Sequence, residues 1–310
     1  MAISEPVPLV ERSVNHSLGA HPAPLRRSRR SRRSLLPQVT CDDNMMMGVA
    51  LLAGPANVIM QLARPGVGYG VMESKVESGR VDLHPIKRAR TTFTYLVVST
   101  QGSDEQKAAF REAVNSAHRQ VRSTADSPVK YNAFDRDLQL WVGACLYKGN
   151  VDIHRIFLGE MDDEHADRHY RNEGKAMATM LQVPEEMWPA DRAAFDRYWQ
   201  EQLDKVHIDD AVREYLKPIA ASRLRGLTVP GPLQRANERL ALLITTGFLP
   251  QCFRDEMQLP WDADKQRRFD RLMGALRGVN NLLPQFLRGF PFNLILWDLD
   301  RRIRAGRPLV

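Results

Sequence analysis

The sequence has few cysteines and no paired arrangement of them. Its 310 residues include three cysteines, Cys41, Cys145 and Cys252, which lie far apart and form no CxxC pair. An even disulfide framework is therefore excluded as the basis of the fold. Free thiols of this kind are typical of a reducing compartment, and we expect a cytoplasmic protein.

Long apolar runs and strand-like alternation are also missing. The closest approach to a membrane span, residues 45–63, is interrupted by Gly54-Pro55, Asn57 and Gln61. It is therefore interpreted as a core helix broken near Gly54-Pro55. No alternating β-branched segment of useful length and no internal repeat occurs. Helical periodicity from residue 42 onward instead predicts an all-α fold, with one globular multi-helix domain over residues 41–310.

Motifs of several common enzyme classes are absent. The chain contains no GxSxG, Walker A, GxGxxG or ExxH pattern, which argues against nucleophile-elbow, nucleotide-binding and di-iron carboxylate sites. Gly66, Gly68 and Gly70 follow no strand, so a phosphate-binding loop is not favoured. Glycines on a short helix instead permit close helix packing or the close approach of a flat ligand.

Positive charge is concentrated near the N-terminus. The formal net charge is +7, and part of the excess lies in the arginine tract at residues 26–33. Residues 1–40 are rich in proline and arginine and show no periodic apolar face, which predicts a disordered tail. Arg32-Arg33 faintly resembles a twin-arginine export signal, but Pro37 and two aspartates stand where an apolar run is needed. We expect a solvated tail with no specific nucleic-acid partner, although such a tract can also hold anionic lipid.

The stretch from His84 to Arg122 predicts two consecutive helices. The second begins with Ser103, and Gln106 three residues later completes a capping-box pattern. Its apolar stripe includes Val114, and His118 follows one helical turn later, at the border of the stripe. The sequence therefore places a histidine on the buried side of a helix.

His118 has two interpretations at this point. It is either a structural histidine hydrogen-bonded to a neighbour or an axial ligand to haem iron, with Arg88 and Thr92 of the preceding helix as distal polar groups. His165 and His169 have the i, i+4 spacing that can place two imidazoles on one metal ion. Their segment is highly charged, however, which is typical of a solvated surface.

Several runs, in this order, resemble one known family. They are residues 54–65, Arg88 through Thr92 to Tyr95-Leu96, residues 117–122, residues 138–142, and Leu249-Pro250 with Leu259-Pro260-Trp261. Together they are similar to the haem-dependent catalytic domain shared by rubber oxygenase (latex clearing protein) and the ER-bound oxygenase of the fungal mycophenolate pathway. The resemblance implies an all-α oxygenase that uses haem b and dioxygen on a hydrophobic small-molecule or polymer substrate, such as an isoprenoid or polyene.

The resemblance also implies roles for individual residues. His118 is expected to be the proximal iron ligand, with its second ring nitrogen donating to a carbonyl or carboxylate. Arg88 and Thr92 are expected to be the distal, catalytic residues that also contact the cofactor. Apolar residues expected to line the haem or substrate slot are Met60, Leu62, Phe93 and Leu96.

The chain departs from the family at three positions. Thr91 stands where rubber oxygenase has a lysine, and Arg64 and Gly143 stand where relatives often carry histidine. Two other functions therefore stay open: a non-catalytic haem-binding protein, and a cofactor-free helical interaction protein with a basic tail. The final helix, with Trp297 and the arginines after it, is expected to pack on the core or to make peripheral membrane contact.

Overall fold

Helices make up most of the part of the chain that the computed structural model describes, which is residues 46–76, 84–223 and 231–310. The α-helices are α1 (Gly54–Leu62), α2 (Pro65–Met72), α3 (Pro85–Gln101), α4 (Asp104–His118), α5 (Arg136–Phe157), α6 (Asp163–His169), α7 (Lys175–Thr179), α8 (Arg192–Leu203), α9 (Asp210–Ala220), α10 (Pro232–Phe248), α11 (Gln251–Glu256), α12 (Ala263–Leu282), α13 (Gln285–Arg288) and α14 (Phe292–Arg304). In these ranges no strand occurs beyond an isolated antiparallel bridge between Arg122 and Asn132. The all-α prediction is confirmed, and the predicted tail over residues 1–40 lies outside the described residues.

Shorter helical segments complete the described ranges. They are 3-10 helices at Gly48–Ala53 and Glu185–Met187 and a π-helical turn at Tyr170–Gly174, which joins α6 to α7. The predicted break near Gly54-Pro55 is confirmed, because the 3-10 helix ends there and α1 begins. None of the helices described here is long and apolar enough to cross a bilayer.

Local interactions set the ends of α8 and α9. Helix α8 begins at Arg192, because the Asp191 carboxylate accepts a hydrogen bond from the Ala194 amide and caps the first turn. Helix α9 continues through Pro218 to Ala220. The continued turn buries Ile219 and Ala220, which offsets the backbone donor lost at the proline.

Helix α5 occupies the centre of the core. The Trp141 side chain is fully buried, donates from Nε1 to the Gln61 carbonyl at 3.1 Å, and stacks on Trp199 at 5.1 Å between ring centroids. A Cβ atom at Gly143 would lie 2.7 Å from the Ala178 Cα atom, so the glycine permits the close approach of α7. A histidine at position 143 would require α7 to move.

Helices α3, α4 and α14 form a layer beside α5. The predicted capping box at the start of α4 is confirmed, with reciprocal hydrogen bonds between Ser103 and Gln106. Phe93 of α3 meets Phe292 of α14 edge to face, with ring centroids 6.0 Å apart. The face of α3 that carries Phe93 is therefore covered by α14, and the opposite face of α3 points toward α5.

The contact between α10 and α12 depends on a glycine. A Cβ atom at Gly247 would lie 2.1 Å from an atom of the Phe269 ring. Gly247→Ala is therefore expected to lower the free energy of unfolding by about 1–3 kcal/mol through overpacking. Gly274→Ala, on an open face of α12 with nothing within 4 Å of the added carbon, is the matched control and should stabilise by about 0.5–1 kcal/mol. Urea midpoints measure both changes, and equal midpoints for the two variants would contradict this packing.

Candidate functional site

A cavity lies between α2, α3, α4, α5 and α7. It encloses about 230 Å³, which is somewhat below the ~300–1,000 Å³ of ordinary ligand pockets. The apolar wall includes Leu62, Val67, Val71, Leu138, Val142 and Leu146. The described lining contains no aspartate or glutamate.

His118 lies in the wall of this cavity at the end of α4. Its Nδ1 atom is buried and has no hydrogen-bond partner, so the expected bond to a carbonyl or carboxylate is not made there. The ring instead meets Phe134 edge to face, with centroids 6.1 Å apart. Burial, followed by the charge of Arg88, lowers the pKa of His118 to about 4. The imidazole is therefore neutral near pH 7, which is the form that binds a metal ion.

Arg88 also lines the cavity, from α3. Within the described part of the chain its guanidinium makes no ion pair and no hydrogen bond. Burial lowers its pKa, although an arginine stays charged at any physiological pH. Arg88 is half-buried, and a partly desolvated cation without an acidic partner is costly, so this end of the cavity favours an anion or a developing negative charge.

Thr91 and Thr92 are both among the lining residues, but their hydroxyl protons are engaged. Thr91 Oγ1 donates to the Lys87 carbonyl and Thr92 Oγ1 donates to the Arg88 carbonyl, each at 3.1 Å. These bonds to the preceding turn are the local alternative open to threonine in a helix. Thr92 can donate to a bound group only if its hydroxyl rotates away from that carbonyl, while its lone pairs still accept.

The structure does not bring every predicted lining residue to the cavity. Leu62 lies in the wall, whereas Phe93 points from another face of α3 toward Phe292. Met60 belongs to the buried core, and Leu96 packs against that core. Because α14 packs against the face of α3 that carries Phe93, this side chain lies away from the cavity. Its position therefore gives no support to the expectation that Phe93 contacts a cofactor.

Other lining residues were given no role in the sequence analysis, although Gln139 lies in the family-like run at residues 138–142. Gln139 of α5 donates to the Ala133 carbonyl and to Gln182, each at 2.6 Å, and Tyr131 donates to Glu73 at 2.6 Å. These side chains already have protein partners. No local pattern marks them, because they reach the cavity through contacts between distant parts of the chain.

One further departure from the family, Arg64, and the pair His165 and His169 lie outside the lining, whereas Gly143 is part of it. Arg64 donates to Gln202 of α8 and is not part of the lining. The expectation that His165 and His169 are solvated was wrong for His169, which is 2% exposed and 3.4 Å from Glu173. No group of three or more potential metal-binding side chains occurs among residues 46–76, 84–223 and 231–310.

The depressed pKa of His118 predicts a pH-dependent stability. From its ordinary value of 6.5 down to about 4, the unfolded chain binds a proton at this ring and the folded chain does not. Stability is therefore full above pH 6.5 and falls as the pH is lowered through this window. The contribution lost by His118 between pH 7.5 and pH 5 is about 2 kcal/mol.

Urea unfolding of His118→Phe and wild type at these two pH values measures the effect. The variant should lose about 2 kcal/mol less stability than wild type over the interval. His207→Gln, at an exposed histidine, is the control and should behave like wild type. Parallel losses in wild type and His118→Phe would show that His118 is not buried as described.

Comparisons with known proteins identify the class to which this fold and cavity belong. The family model described as "ER-bound oxygenase mpaB/B'/Rubber oxygenase, catalytic domain" matches residues 44–278. The chain belongs to this family of oxygenase catalytic domains, which confirms the resemblance noted in the sequence.

Two mycobacterial proteins are similar to the chain over most of its length. The uncharacterized protein Rv2237 of Mycobacterium tuberculosis and the uncharacterized protein Mb2261 of Mycobacterium bovis are each 52% identical over 260 residues. The match covers 84% of this chain and 100% of each relative. No solved structure matches the chain.

Proposed function

We propose that the cavity binds haem b and that the protein is a haem-dependent oxygenase acting with dioxygen on an apolar substrate. The observation that carries this proposal is the pairing of two side chains in one apolar cavity. His118 is neutral with an unpartnered buried Nδ1 atom, and Arg88 is a cation that has no acidic partner among the described residues. Membership of an oxygenase family supports the reaction class.

The residues present fit haem b. The porphyrin brings four nitrogen ligands of its own, so one protein imidazole is sufficient to hold the iron. His118 would supply that imidazole, because it is the histidine of the described cavity lining. The long apolar wall formed by α2 and α5 suits a flat macrocycle, and Gly66 and Gly70 add little bulk to it. When bound, haem b supplies the activation of dioxygen.

The chain's own residues orient the reactants and stabilise charge. Arg88 donates charge-assisted hydrogen bonds to negative charge that develops on oxygen atoms in the cavity. The apolar walls keep water out, which strengthens that interaction. Thr92 orients polar groups through its acceptor lone pairs. The absence of acidic side chains from the described lining and the apolar walls together favour a hydrocarbon-like substrate.

Oxygen consumption tests the reaction class. Haem-loaded protein is given squalene, an apolar polyene, or squalane, the saturated analogue of the same carbon skeleton. Oxygen uptake with squalene and not with squalane supports an oxygenase that acts on double bonds. Uptake that is the same with both substrates, or absent with both, would contradict the proposed reaction.

Thr91 favours one specific alternative, a haem protein without catalysis. Its position in the cavity wall gives the site a small neutral group where rubber oxygenase has a lysine, as the resemblance indicates. Haem binding at His118 together with no oxygen uptake on any apolar polyene would establish this second function. Thr91→Lys would then be expected to raise uptake if the missing base is the cause.

A further inference from the structure

An apolar surface runs along the end of α12, α13 and the start of α14. Val279 is 57% exposed, Leu282 86%, Phe286 66% and Phe290 54%, and the row continues through Leu294 and Trp297. We call residues 279–297 the apolar surface. Large apolar side chains placed singly are ordinary on a protein surface, but a row of this length marks a contact site.

The charged side chains in the sequence between Asp270 and Asp298 have one sign, because no aspartate or glutamate occurs there. Arg271 and Arg277 are exposed, and neither forms an ion pair within the described ranges. At the far end of the surface the Arg301 guanidinium lies 5.5 Å from the centre of the Trp297 ring and forms an ion pair with Asp298 at 2.8 Å. Apolar side chains flanked by arginines are the composition of a face that lies in the interface of an anionic membrane.

Charge complementarity distinguishes three possible partners of the apolar surface: a second copy of the chain, its N-terminal segment and an anionic bilayer. A second copy of this chain would bring the same arginines to a symmetric contact, where they repel. The N-terminal segment carries the arginine tract at residues 26–33 and has the same sign. An anionic bilayer complements both the apolar row and the arginines, and tryptophan is favoured at its interface. We propose that the apolar surface docks the protein on an anionic lipid bilayer without spanning it.

The location of the apolar surface connects docking to the cavity. Helix α14 packs against α3 through Phe292 and Phe93, and α3 carries Arg88 and Thr92 on its other side. Docking therefore places the layer that walls the cavity next to a phase in which apolar molecules dissolve. The docking proposal itself needs no cofactor and is tested separately from the proposed function.

Co-sedimentation with vesicles tests the proposal on the full-length chain. The vesicles are phosphatidylglycerol mixed with phosphatidylcholine, or phosphatidylcholine alone. Wild type should bind the anionic vesicles and lose binding as salt is raised. Leu282→Ser/Phe286→Ser and Arg271→Gln/Arg277→Gln should each weaken binding by about tenfold or more. Ile86→Ser, at an apolar residue of α3 that is 65% exposed, is the control and should bind like wild type.

Three results would overturn the proposal. One is vesicle binding by both double variants at the wild-type level, with circular dichroism showing that all proteins are folded. Another is binding that disappears only when the arginines of residues 26–33 are replaced by glutamine, because the tail would then be the lipid contact. The third is a wild-type dimer in light scattering that Phe286→Ser dissociates, in a protein that binds no vesicles.

Discussion

The His118→Ala variant is expected to lose haem b. Mutating a residue that only hydrogen-bonds to a metal ligand lowers affinity by roughly 10–100-fold, and removing the ligand itself should cost more. His118 is the histidine of the described cavity lining, and its buried Nδ1 atom makes no hydrogen bond. The alanine leaves a space of imidazole size beside the cavity. Added imidazole should therefore restore part of the Soret absorption, which a merely unfolded variant would not do.

The control for this variant is His207→Ala, at an exposed histidine. It should retain wild-type haem affinity and the wild-type spectrum. Circular dichroism of both variants establishes that helix content is unchanged. Wild-type haem affinity in His118→Ala would show that another residue binds the iron, and the assignment of His118 would be wrong.

The Arg88→Leu variant is expected to bind haem but to consume oxygen about 10²–10³ times more slowly, the cost of removing one preorganised donor to a developing negative charge. Arg88 has no acidic partner in the described part of the chain, so its charge is available to the reactants. Leucine retains the apolar bulk of the side chain and removes the charge. Oxygen uptake with squalene at saturating haem measures the change.

Arg90→Leu is the matched control for Arg88→Leu. Arg90 lies two residues further along α3 and faces a surface groove with Lys87 and Arg302, not the cavity. Its replacement should leave oxygen uptake within about twofold of wild type, as for surface substitutions. Equal uptake by wild type and Arg88→Leu would remove Arg88 from the reaction.

Local sequence patterns were sufficient to predict much of the fold. The capping box at Ser103 and the break at Gly54-Pro55 each depend on residues a few positions apart. Helical spacing likewise placed His118 at the border of a buried stripe, with Arg88 on the preceding helix. The cavity brings these two residues together, and the family match agrees with the order of motifs.

Orientation between helices could not be predicted in the same way. Phe93 follows Thr92 directly, yet its ring packs against Phe292 of α14. The face that a helix buries depends on the helix packed against it. The partners of Gln139 and Tyr131 are 43 and 58 residues away in the chain. Within residues 46–76, 84–223 and 231–310, Arg88 has no acidic partner. That is likewise a property of the folded arrangement, and the proposed function depends on it.

Titration of the purified wild-type protein with haem b, followed by Soret absorption, is the most direct test of haem binding at His118. We predict a saturable change that ends at one haem per chain. The binding should weaken as the pH is lowered toward the His118 pKa of about 4. A folded protein whose spectrum is the sum of free haem and colourless protein at every ratio would contradict it.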